Sequence, residues 1–219
     1  MDEEAARSWV EQNFNVSRET MGLLDAFIVF LEAQNELQNL VSRGTLANVW
    51  TRHIVDSAQL LTFAPTKSGS WLDLGTGAGF PGLIVGLLHE GPVTLVEERR
   101  KRAEFLQQAA GLLGIADKIF IKAVKAERIE SIAYNVISAR AFAPLDRLLE
   151  ISHRFSTDKT RFILPKGRNA SSELEAAKAS WQGDFRLEQS LTDADARIIV
   201  AERVSPKAQG LAAKGRRVR

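Results

Sequence analysis

The stretch Trp71–Gly82 constrains the fold of this 219-residue chain more than any other. A short apolar segment leads into four glycines within eight residues, and the apolar run Leu83–Leu88 follows. Glycine permits positive φ angles and lets a ligand approach the backbone closely. The first N–H groups of a helix point at whatever lies over such a turn. The stretch therefore predicts a strand, a turn and a helix that bind a nucleotide-type cofactor.

Asp73 separates the interpretations of this turn. Gly77, Gly79 and Gly82 match the G-x-G-x-x-G pattern of dinucleotide folds, but that pattern recurs by chance. An acidic residue two positions before Gly75 suits a cofactor with an ammonium group and suits a pyrophosphate poorly. S-adenosylmethionine has that ammonium group and no phosphate. The spacing resembles motif I of the class I methyltransferases, with a dinucleotide site and a purely structural turn as alternatives.

From residue 70 onward, predicted strands alternate with predicted helices. The predicted strands are 71–74, 93–97, 118–122, 135–139, 161–165, 185–188 and 196–203, and the predicted helices are 82–89, 99–113, 145–155 and 171–181. Such alternation implies a mainly parallel sheet, and the last two strands lack an intervening helix, which predicts an antiparallel edge hairpin. A seven-stranded sheet that ends this way resembles the α/β, Rossmann-like fold of the class I methyltransferases, which we therefore expect here. Its ligands would lie beyond the carboxyl ends of the strands, near Gly75.

The part of the chain before this pattern is predicted to be helical. Ser17 suits a helix N-cap, apolar residues then recur at helical spacing, a turn is predicted at 39–44, and a second helical segment at 49–63. We therefore expect an N-terminal helical extension at 1–65, a methyltransferase domain at 66–204 and a basic flexible tail at 205–219.

The formal charge of +2 hides an asymmetry along the chain. Residues 205–219 contain five basic side chains and no acidic one. Subtracting these five from 29 leaves 24 basic against 27 acidic groups in the remainder. The tail is either an arm that binds RNA phosphates or an ordinary solvated terminus.

Composition excludes several classes of site. The chain has no cysteine, which excludes disulfides, zinc–thiolate centres and a thiol nucleophile. No metal-ligand cluster is visible, and no apolar run reaches the ~18 residues of a membrane span. The acidic start lacks an apolar signal core, so we expect a cytoplasmic protein without membrane or metal partners.

Two acidic residues are candidates for contacts with an adenosine group. Glu97 closes the second predicted strand, where a carboxylate can accept both ribose hydroxyls. Glu98 competes for that role, and a surface acid that pairs with the following arginines is the alternative. Glu127 follows the third predicted strand and either frames the adenine or lies on the surface.

The fourth predicted strand ends where such a fold places its methyl acceptor. This sequence has no Asn/Asp-Pro-Pro-aromatic turn for exocyclic amines there and no thiol for pyrimidine C5. An acceptor with its own lone pair, such as guanine N7, needs positioning more than a general base. Arg140 can bond a guanine edge or a phosphate, or alternatively strand-end carbonyls.

Further basic residues are candidates for RNA contacts. Lys166 and Arg168 follow the fifth predicted strand at the same edge, where an ordinary exposed loop is the alternative. Arg52 and His53 lie in the N-terminal helical layer. No His/acid/Ser arrangement supports hydrolysis, and a lone histidine is more often structural than catalytic.

Several segments together resemble one family, the bacterial RsmG (GidB) family of 16S rRNA guanine-N7 methyltransferases. In chain order they are Asn39–Ser42, Arg52–Ser57, Asp73–Gly82, Lys101–Arg102, Ser138–Phe142 and Lys166–Gly167. The resemblance covers roughly residues 35–204. Its most specific part is the pair of motifs Arg-His-x-x-Asp-Ser and Asp-Leu-Gly-Thr-Gly-x-Gly-x-Pro-Gly.

The resemblance implies S-adenosylmethionine-dependent N7 methylation of a guanine in 16S rRNA or the small ribosomal subunit. Arg140 and Lys166 are expected to orient the acceptor as catalytic residues. Cofactor contacts are expected at Asp73, Gly75, Gly77, Gly79, Phe80, Glu97, Ala126, Glu127 and Arg140. RNA contacts are expected at Asn39, Arg52, His53, Lys166 and Arg168.

Three other hypotheses remain open at this point. The same fold can methylate a small molecule or a protein, and the acidic remainder of the chain favours that slightly. An NAD(P)-dependent reductase fits the glycines but tolerates Asp73 badly. A non-catalytic RNA-binding module would keep the fold without turnover.

Overall fold

A computed structural model describes residues 1–208 of the chain. Most of the predicted basic tail, from residue 209 onward, lies outside the described residues. Within the described part, no helix combines the length and the apolar character that a bilayer crossing requires. The domain boundaries expected from the sequence stay predictions.

The described chain consists of an N-terminal helical layer followed by alternating strands and helices. The N-terminal layer contains α1 (Glu3–Phe14), α2 (Arg18–Gln38), α3 (Arg43–Leu46), a π-helix (Trp50–Val55), α4 (Asp56–Ala58) and a 3₁₀ helix (Gln59–Phe63). Then follow β1 (Trp71–Leu74), α5 (Gly82–Leu88), β2 (Val93–Val96), α6 (Arg100–Leu112), β3 (Ile119–Lys122), a 3₁₀ helix (Ala126–Arg128), β4 (Val136–Ser138), α7 (Leu145–Ser152), a 3₁₀ helix (His153–Phe155), β5 (Arg161–Lys166), α8 (Ala170–Ala177), β6 (Trp181–Gln189) and β7 (Arg197–Pro206).

The seven strands form one sheet in the order β3-β2-β1-β4-β5-β7-β6. The first five pair in parallel, with Trp71 of β1 in register with Val93 on one side and Val136 on the other. β7 pairs antiparallel with both β5 and β6. The predicted seven-stranded sheet with an antiparallel edge hairpin is therefore confirmed. The strand order reverses between β1 and β4, which places the glycine turn after β1 at the switch point where such sheets bind ligands.

Both faces of the central strands β1, β2 and β4 are buried. Successive β1 residues point to opposite faces, so Trp71 joins one apolar cluster and Leu72 joins the other. The N-terminal layer covers the Trp71 face, where Phe30 of α2 stacks on Phe105 of α6 with ring centroids 5.3 Å apart. Ser17 caps α2 as predicted, because its side chain accepts a hydrogen bond from the backbone N–H of Thr20. The helical layer is thus part of the main core.

The segment 49–63, predicted to be helical, is not a regular α-helix. It begins as the π-helix, continues as α4 and ends as a 3₁₀ helix. Single π-turns are rare and occur frequently at functional sites. This change of helix type was not visible in the sequence, because the apolar spacing is compatible with any helical winding.

Two neighbouring predicted elements differ most from the structure at their ends. The predicted helix 171–181 stops at Ala177, and the strand predicted at 185–188 starts four residues earlier, at Trp181. The Trp181 side chain is buried and its indole N–H donates to Asp146 Oδ1 at 2.9 Å. Pairing along β7 and burial of this indole outweigh the local helical pattern. Within the predicted turn at 39–44, a short helix begins at Arg43.

A buried chain of hydrogen bonds joins β1 and β4. A substitution that breaks this chain measures how much it contributes to the free energy of unfolding. The Trp71 indole N–H donates to Ser138 Oγ at 2.8 Å, and this hydroxyl donates to Asp73 Oδ1 at 2.7 Å. We expect Ser138→Ala to lower the free energy of unfolding by about 1–3 kcal/mol, because it leaves a buried indole N–H without an acceptor. Urea denaturation measures this change.

Ser152→Ala is the matched control, since Ser152 is equally buried but only donates to the carbonyl of Leu148. Its removal leaves no N–H group unpaired, so the loss is expected to be smaller. Equal losses for the two variants would contradict the interpretation.

Candidate active site

The glycine turn after β1 has the strained backbone that its sequence predicts. Gly75 has φ of +68° and Gly79 has φ of +88°, in the region that favours glycine. A Cβ atom at Gly75 would lie 2.4 Å from the Phe142 ring, and one at Gly79 would lie 2.3 Å from Leu83. The turn therefore requires glycine for both its backbone conformation and its packing.

Asp73 lies beneath this turn and is fully buried. Its Oδ2 accepts the backbone N–H of Gly82 at 3.0 Å, and its Oδ1 accepts the hydroxyl of Ser138. Burial raises the pKa of Asp73 from 3.8 to about 6, although these hydrogen bonds favour its charged form. The carboxylate thus holds the turn to α5 and β4. The predicted contact with a cofactor ammonium group stays a prediction.

A first cavity of about 340 Å³ opens beside the turn. Four of the predicted cofactor residues line it, namely Gly75, Glu97, Ala126 and Glu127. The other lining residues are Val96, Glu98, Arg99, Arg102, Val124, Lys125, Ala141 and Phe142. The cavity therefore joins the ends of β1, β2 and β3 with the loop that follows β4.

Glu97 is the buried acid of this cavity. Its Oε2 accepts the N–H of Gly77 at 3.1 Å, and its Oε1 accepts the N–H of Arg99 at 2.9 Å. Glu98 beside it is exposed, and Glu127 is exposed and pairs with Arg147 at 3.2 Å. A carboxylate has about four lone-pair sites, so Glu97 retains acceptor capacity for a ligand.

Phe80 and Gly79 lie outside the lining of the first cavity. Phe80 is buried in the core, where its ring stacks on His53 at 4.7 Å and meets Phe27 edge-on at 5.9 Å. The sequence did not indicate this position, because the turn motif alone does not show that the helical layer covers it. Gly77 also lies outside this lining, and its N–H donates to Glu97, which is part of the lining.

A second cavity, of about 720 Å³, adjoins the first. The two cavities share the residues Ala141 and Phe142, and Ala141 adopts a left-handed backbone with φ of 51°. The second cavity brings together four predicted site residues that are far apart in the chain: Arg52, His53, Arg140 and Lys166.

Arg140 is held on one side of the second cavity by the N-terminal layer. Its Nη1 donates to Asp56 Oδ2 at 3.1 Å and to the carbonyl of Arg52 at 3.2 Å. Its Nη2 lies 3.2 Å from His53 Nδ1, and its guanidinium lies 5.5 Å from the centroid of the Phe80 ring. The guanidinium is thus fixed in the cavity wall by three polar contacts and one aromatic face.

His53 is neutral in this arrangement. Arg140 only donates hydrogen bonds, so Nδ1 of His53 is the acceptor and its Nε2–H donates to Thr45 Oγ1 at 2.9 Å. Burial, together with the nearby positive charges of Arg140 and Arg52, lowers the pKa of His53 to about 3. His53 therefore serves as a hydrogen-bond acceptor for Arg140 and not as a proton-transfer group near neutral pH.

Lys166 forms a largely buried ion pair, with its side chain only 10% exposed. Its Nζ donates to Glu173 Oε2 and to the carbonyl of Ala143, each at 2.8 Å. The same Glu173 oxygen accepts the N–H of Leu145 at 2.9 Å. Lys166 thus braces the loop between β4 and α7, and its role in orienting an acceptor stays a prediction.

The remaining predicted RNA residues are not gathered at one place. Arg52 pairs with Asp193 Oδ2 at 3.2 Å, across to the loop between β6 and β7. Asn39 ends α2 with φ of 48°, and its carbonyl accepts from Arg102 at 3.5 Å. Arg168 is exposed. Asn39 and Arg168 lie outside the lining of both cavities.

Sequence reasoning missed three residues that complete the site. Asp56 belongs to the Arg-His-x-x-Asp-Ser segment, so its motif position was a usable signal. Thr192 donates to Asp56 Oδ1 at 2.8 Å, and Glu173 pairs with Lys166. Thr192 and Glu173 gave no local signal, because only the tertiary fold brings them to the cavity. Across residues 1–208, no cluster of three or more His, Cys, Asp or Glu side chains is arranged to hold a metal ion.

The sheet order, with a glycine turn at its switch point, defines the Rossmann-like class I methyltransferase fold. The structure is similar to an O-methyltransferase from Bacillus cereus, with a TM-score of 0.59, 13% identity and 90% and 97% of the two chains covered. It is also similar to a TehB-like methyltransferase from Corynebacterium glutamicum, with a TM-score of 0.57, 14% identity and 80% and 97% covered. At these identities the likeness shows the fold alone.

A narrower assignment comes from sequence comparison. Residues 21–199 match the family model of GidB, described as rRNA small subunit methyltransferase G. The chain is 52% identical over 220 residues to ribosomal RNA small subunit methyltransferase G of Rhizorhabdus wittichii, covering 99% of each chain. It is 48% identical over 217 residues to the protein of the same name from Zymomonas mobilis, covering 95% and 97%. The chain therefore belongs to the rRNA small subunit methyltransferase G family, and the resemblance inferred from its motifs is confirmed.

The raised pKa of Asp73 predicts a specific dependence of stability on pH. In the folded state the pKa of this group is about 6, against 3.8 for an ordinary aspartate. Between these two values the folded state binds more protons than the unfolded state, so the contribution of Asp73 to stability falls as pH rises. The full change corresponds to about 3 kcal/mol.

Asp73→Asn does not titrate and is the reference for this measurement. The free energy of unfolding of the parent minus that of Asp73→Asn is expected to fall from pH 4 to pH 6 and to level off above. Urea denaturation at each pH measures it. A difference independent of pH would contradict the assigned pKa.

Proposed function

We propose that this protein is a cytoplasmic S-adenosylmethionine-dependent methyltransferase that methylates N7 of a guanine in 16S rRNA. The observation that carries the proposal is the pair of adjoining cavities at the switch point of a methyltransferase fold, in a chain of this family. The first cavity would take the cofactor and the second would take the acceptor nucleotide. Their shared wall, Ala141 and Phe142, is where the two ligands would meet.

The residues of the first cavity fit S-adenosylmethionine. Glu97 lies at the end of β2 with acceptor capacity for the ribose hydroxyls, and the buried Ala126 leaves room for an adenine ring. Val96 and Val124 provide apolar surface in the same cavity. The backbone at Gly75 can be approached closely because it carries no side chain. When bound, the cofactor supplies an electrophilic methyl group on a sulfonium.

The residues of the second cavity fit an acceptor that needs no deprotonation. Guanine N7 carries its own lone pair, and His53 is neutral with its Nδ1 engaged by Arg140. Asp56 is likewise engaged by Arg140 and Thr192. These residues therefore hold and orient, and catalysis would come from positioning the nucleotide beside the cofactor cavity.

Arg140 is the group in the second cavity best suited to bind the acceptor directly. A guanidinium has five N–H donors, and its contacts here use only part of them. The remaining donors can bond guanine O6 or a phosphate. Lys166 would act with it through the loop that it braces, and Arg52, Asn39, Arg168 and the basic tail would contact neighbouring RNA.

Methylation of purified rRNA tests the proposed reaction. We expect the protein to transfer one methyl group from S-adenosylmethionine to 16S rRNA or to the small subunit, with the product mapped to N7 of a guanine by mass spectrometry. RNA transcribed with 7-deazaguanine is the matched control, because a carbon replaces N7 and removes the nucleophile. Methylation of the 7-deaza RNA, or of an atom other than N7, would contradict the proposal.

The salt dependence of RNA binding tests the phosphate contacts. If the protein contacts phosphates, raising the salt concentration should weaken RNA binding steeply.

Calorimetry with S-adenosylmethionine tests the assignment of Glu97. We expect Glu97→Ala to weaken cofactor binding by at least about tenfold, because it removes the ribose acceptor and releases the N–H groups of Gly77 and Arg99. Glu98→Ala is the control, since Glu98 lines the same cavity but is exposed. Equal affinity of Glu97→Ala and the parent would refute the ribose assignment.

A further inference from the structure

The N-terminal helix α1 contacts the π-helix directly through Glu3. Oε2 of Glu3 accepts the N–H of Trp50 at 2.8 Å, and its Oε1 accepts the N–H of Thr51 at 2.9 Å. Glu3 lies on α1, which precedes the residues 21–199 matched by the family. A carboxylate from outside the matched region thus takes both of the first two N–H groups of the π-helix.

This contact supplies a cap that the π-helix otherwise lacks. The first N–H groups of a helix have no hydrogen-bond partner within it. The preceding residue is Val49, whose apolar side chain cannot accept a hydrogen bond from these groups. A carboxylate is favoured at this end, because the N-terminus of a helix carries partial positive charge. Two hydrogen bonds to one charged group also fix the direction in which the helix starts.

Glu3 is itself held in place by the packing of α1. Ala6 and Val10 on the same helix are fully buried in the main apolar cluster. Arg7 forms an ion pair with Asp25 of α2, and its guanidinium lies 4.9 Å from the centroid of the Trp50 ring. The helix α1 is therefore wedged between α2 and the start of the π-helix.

The π-helix carries the groups that hold Arg140. The carbonyl of Arg52 and Nδ1 of His53 belong to it, and Asp56 follows its last residue. All three polar contacts of Arg140 thus come from within six residues of the Glu3 cap. A shift at the start of this helix would move every acceptor that orients the guanidinium.

We propose that Glu3 is a positioning residue for the methyl acceptor, acting through the π-helix on Arg140. This inference rests on the proposed function, because it assigns the second cavity to the acceptor. Neither Arg140 nor any of the residues 50–56 lines the first cavity. Loss of Glu3 therefore weakens use of the acceptor RNA and leaves the affinity for S-adenosylmethionine unchanged.

The experiment compares Glu3→Ala, Glu3→Gln and the control Glu4→Ala in the full chain. Glu4 is the exposed neighbour of Glu3 on α1, so its replacement controls for loss of charge. At 25 °C we expect kcat/KM for 16S rRNA to fall about tenfold in Glu3→Ala, less than the roughly hundredfold cost of a 1 Å misplacement. Glu3→Gln, which keeps one acceptor oxygen, should fall less, and Glu4→Ala should match the parent.

The affinity for S-adenosylmethionine, measured by calorimetry, should stay within twofold in all three variants. A lower Tm for Glu3→Ala with unchanged kcat and KM would overturn the inference, as would a parallel loss of cofactor affinity. If Glu3→Ala does not fold, Glu3→Gln decides by the same criteria. If the proposed function is wrong, the parent protein itself does not methylate rRNA. If only the inference about Glu3 is wrong, the parent is active and Glu3→Ala is as active as the parent.

Discussion

The buried hydrogen-bond chain from Trp71 through Ser138 to Asp73 is the interaction on which the site depends. It crosses from β1 to β4, where the strand order reverses, and ends on the N–H of Gly82 at the start of α5. Burying a charged carboxylate is unfavourable in free energy, and for this reason the pKa of Asp73 is raised. In return, the two strands that flank the ligand crevice and the first helix after the turn are held in one geometry.

The N-terminal layer both packs against the sheet and contributes residues to the second cavity. Its apolar face completes the main core around Trp71, while its π-helix extends polar groups into the second cavity. His53 belongs to both, because its ring stacks on Phe80 and its Nδ1 faces Arg140. The π-helix therefore both packs in the core and orients Arg140, so a change in its packing would also move the groups that hold Arg140.

Much of this architecture follows from local sequence, and the reasons are physical. The glycine turn, the alternation of strands and helices and the Ser17 cap are short-range patterns, so they were predicted correctly. Gly75 and Glu97 share a cavity because the ends of neighbouring parallel strands meet at one sheet edge, and Ala126 and Glu127, which follow β3, line the same cavity. The partners of Arg140 and Lys166 were not predictable in this way. Thr192 and Glu173 reach the site only through tertiary packing, and a π-helix has no period of its own in the sequence.

The loop between the two cavities is anchored at both ends. Arg140 ties its start to the helical layer, and the Lys166–Glu173 pair ties Ala143 and Leu145 at its end. Ala141 takes up the difference with a left-handed backbone, which costs an alanine roughly 1–2 kcal/mol. Glycine at this position would relieve that strain, but it would also give the unfolded chain more freedom to lose on folding. Alanine at position 141 therefore carries local backbone strain, but the loop between the two cavities loses less conformational entropy when the chain folds.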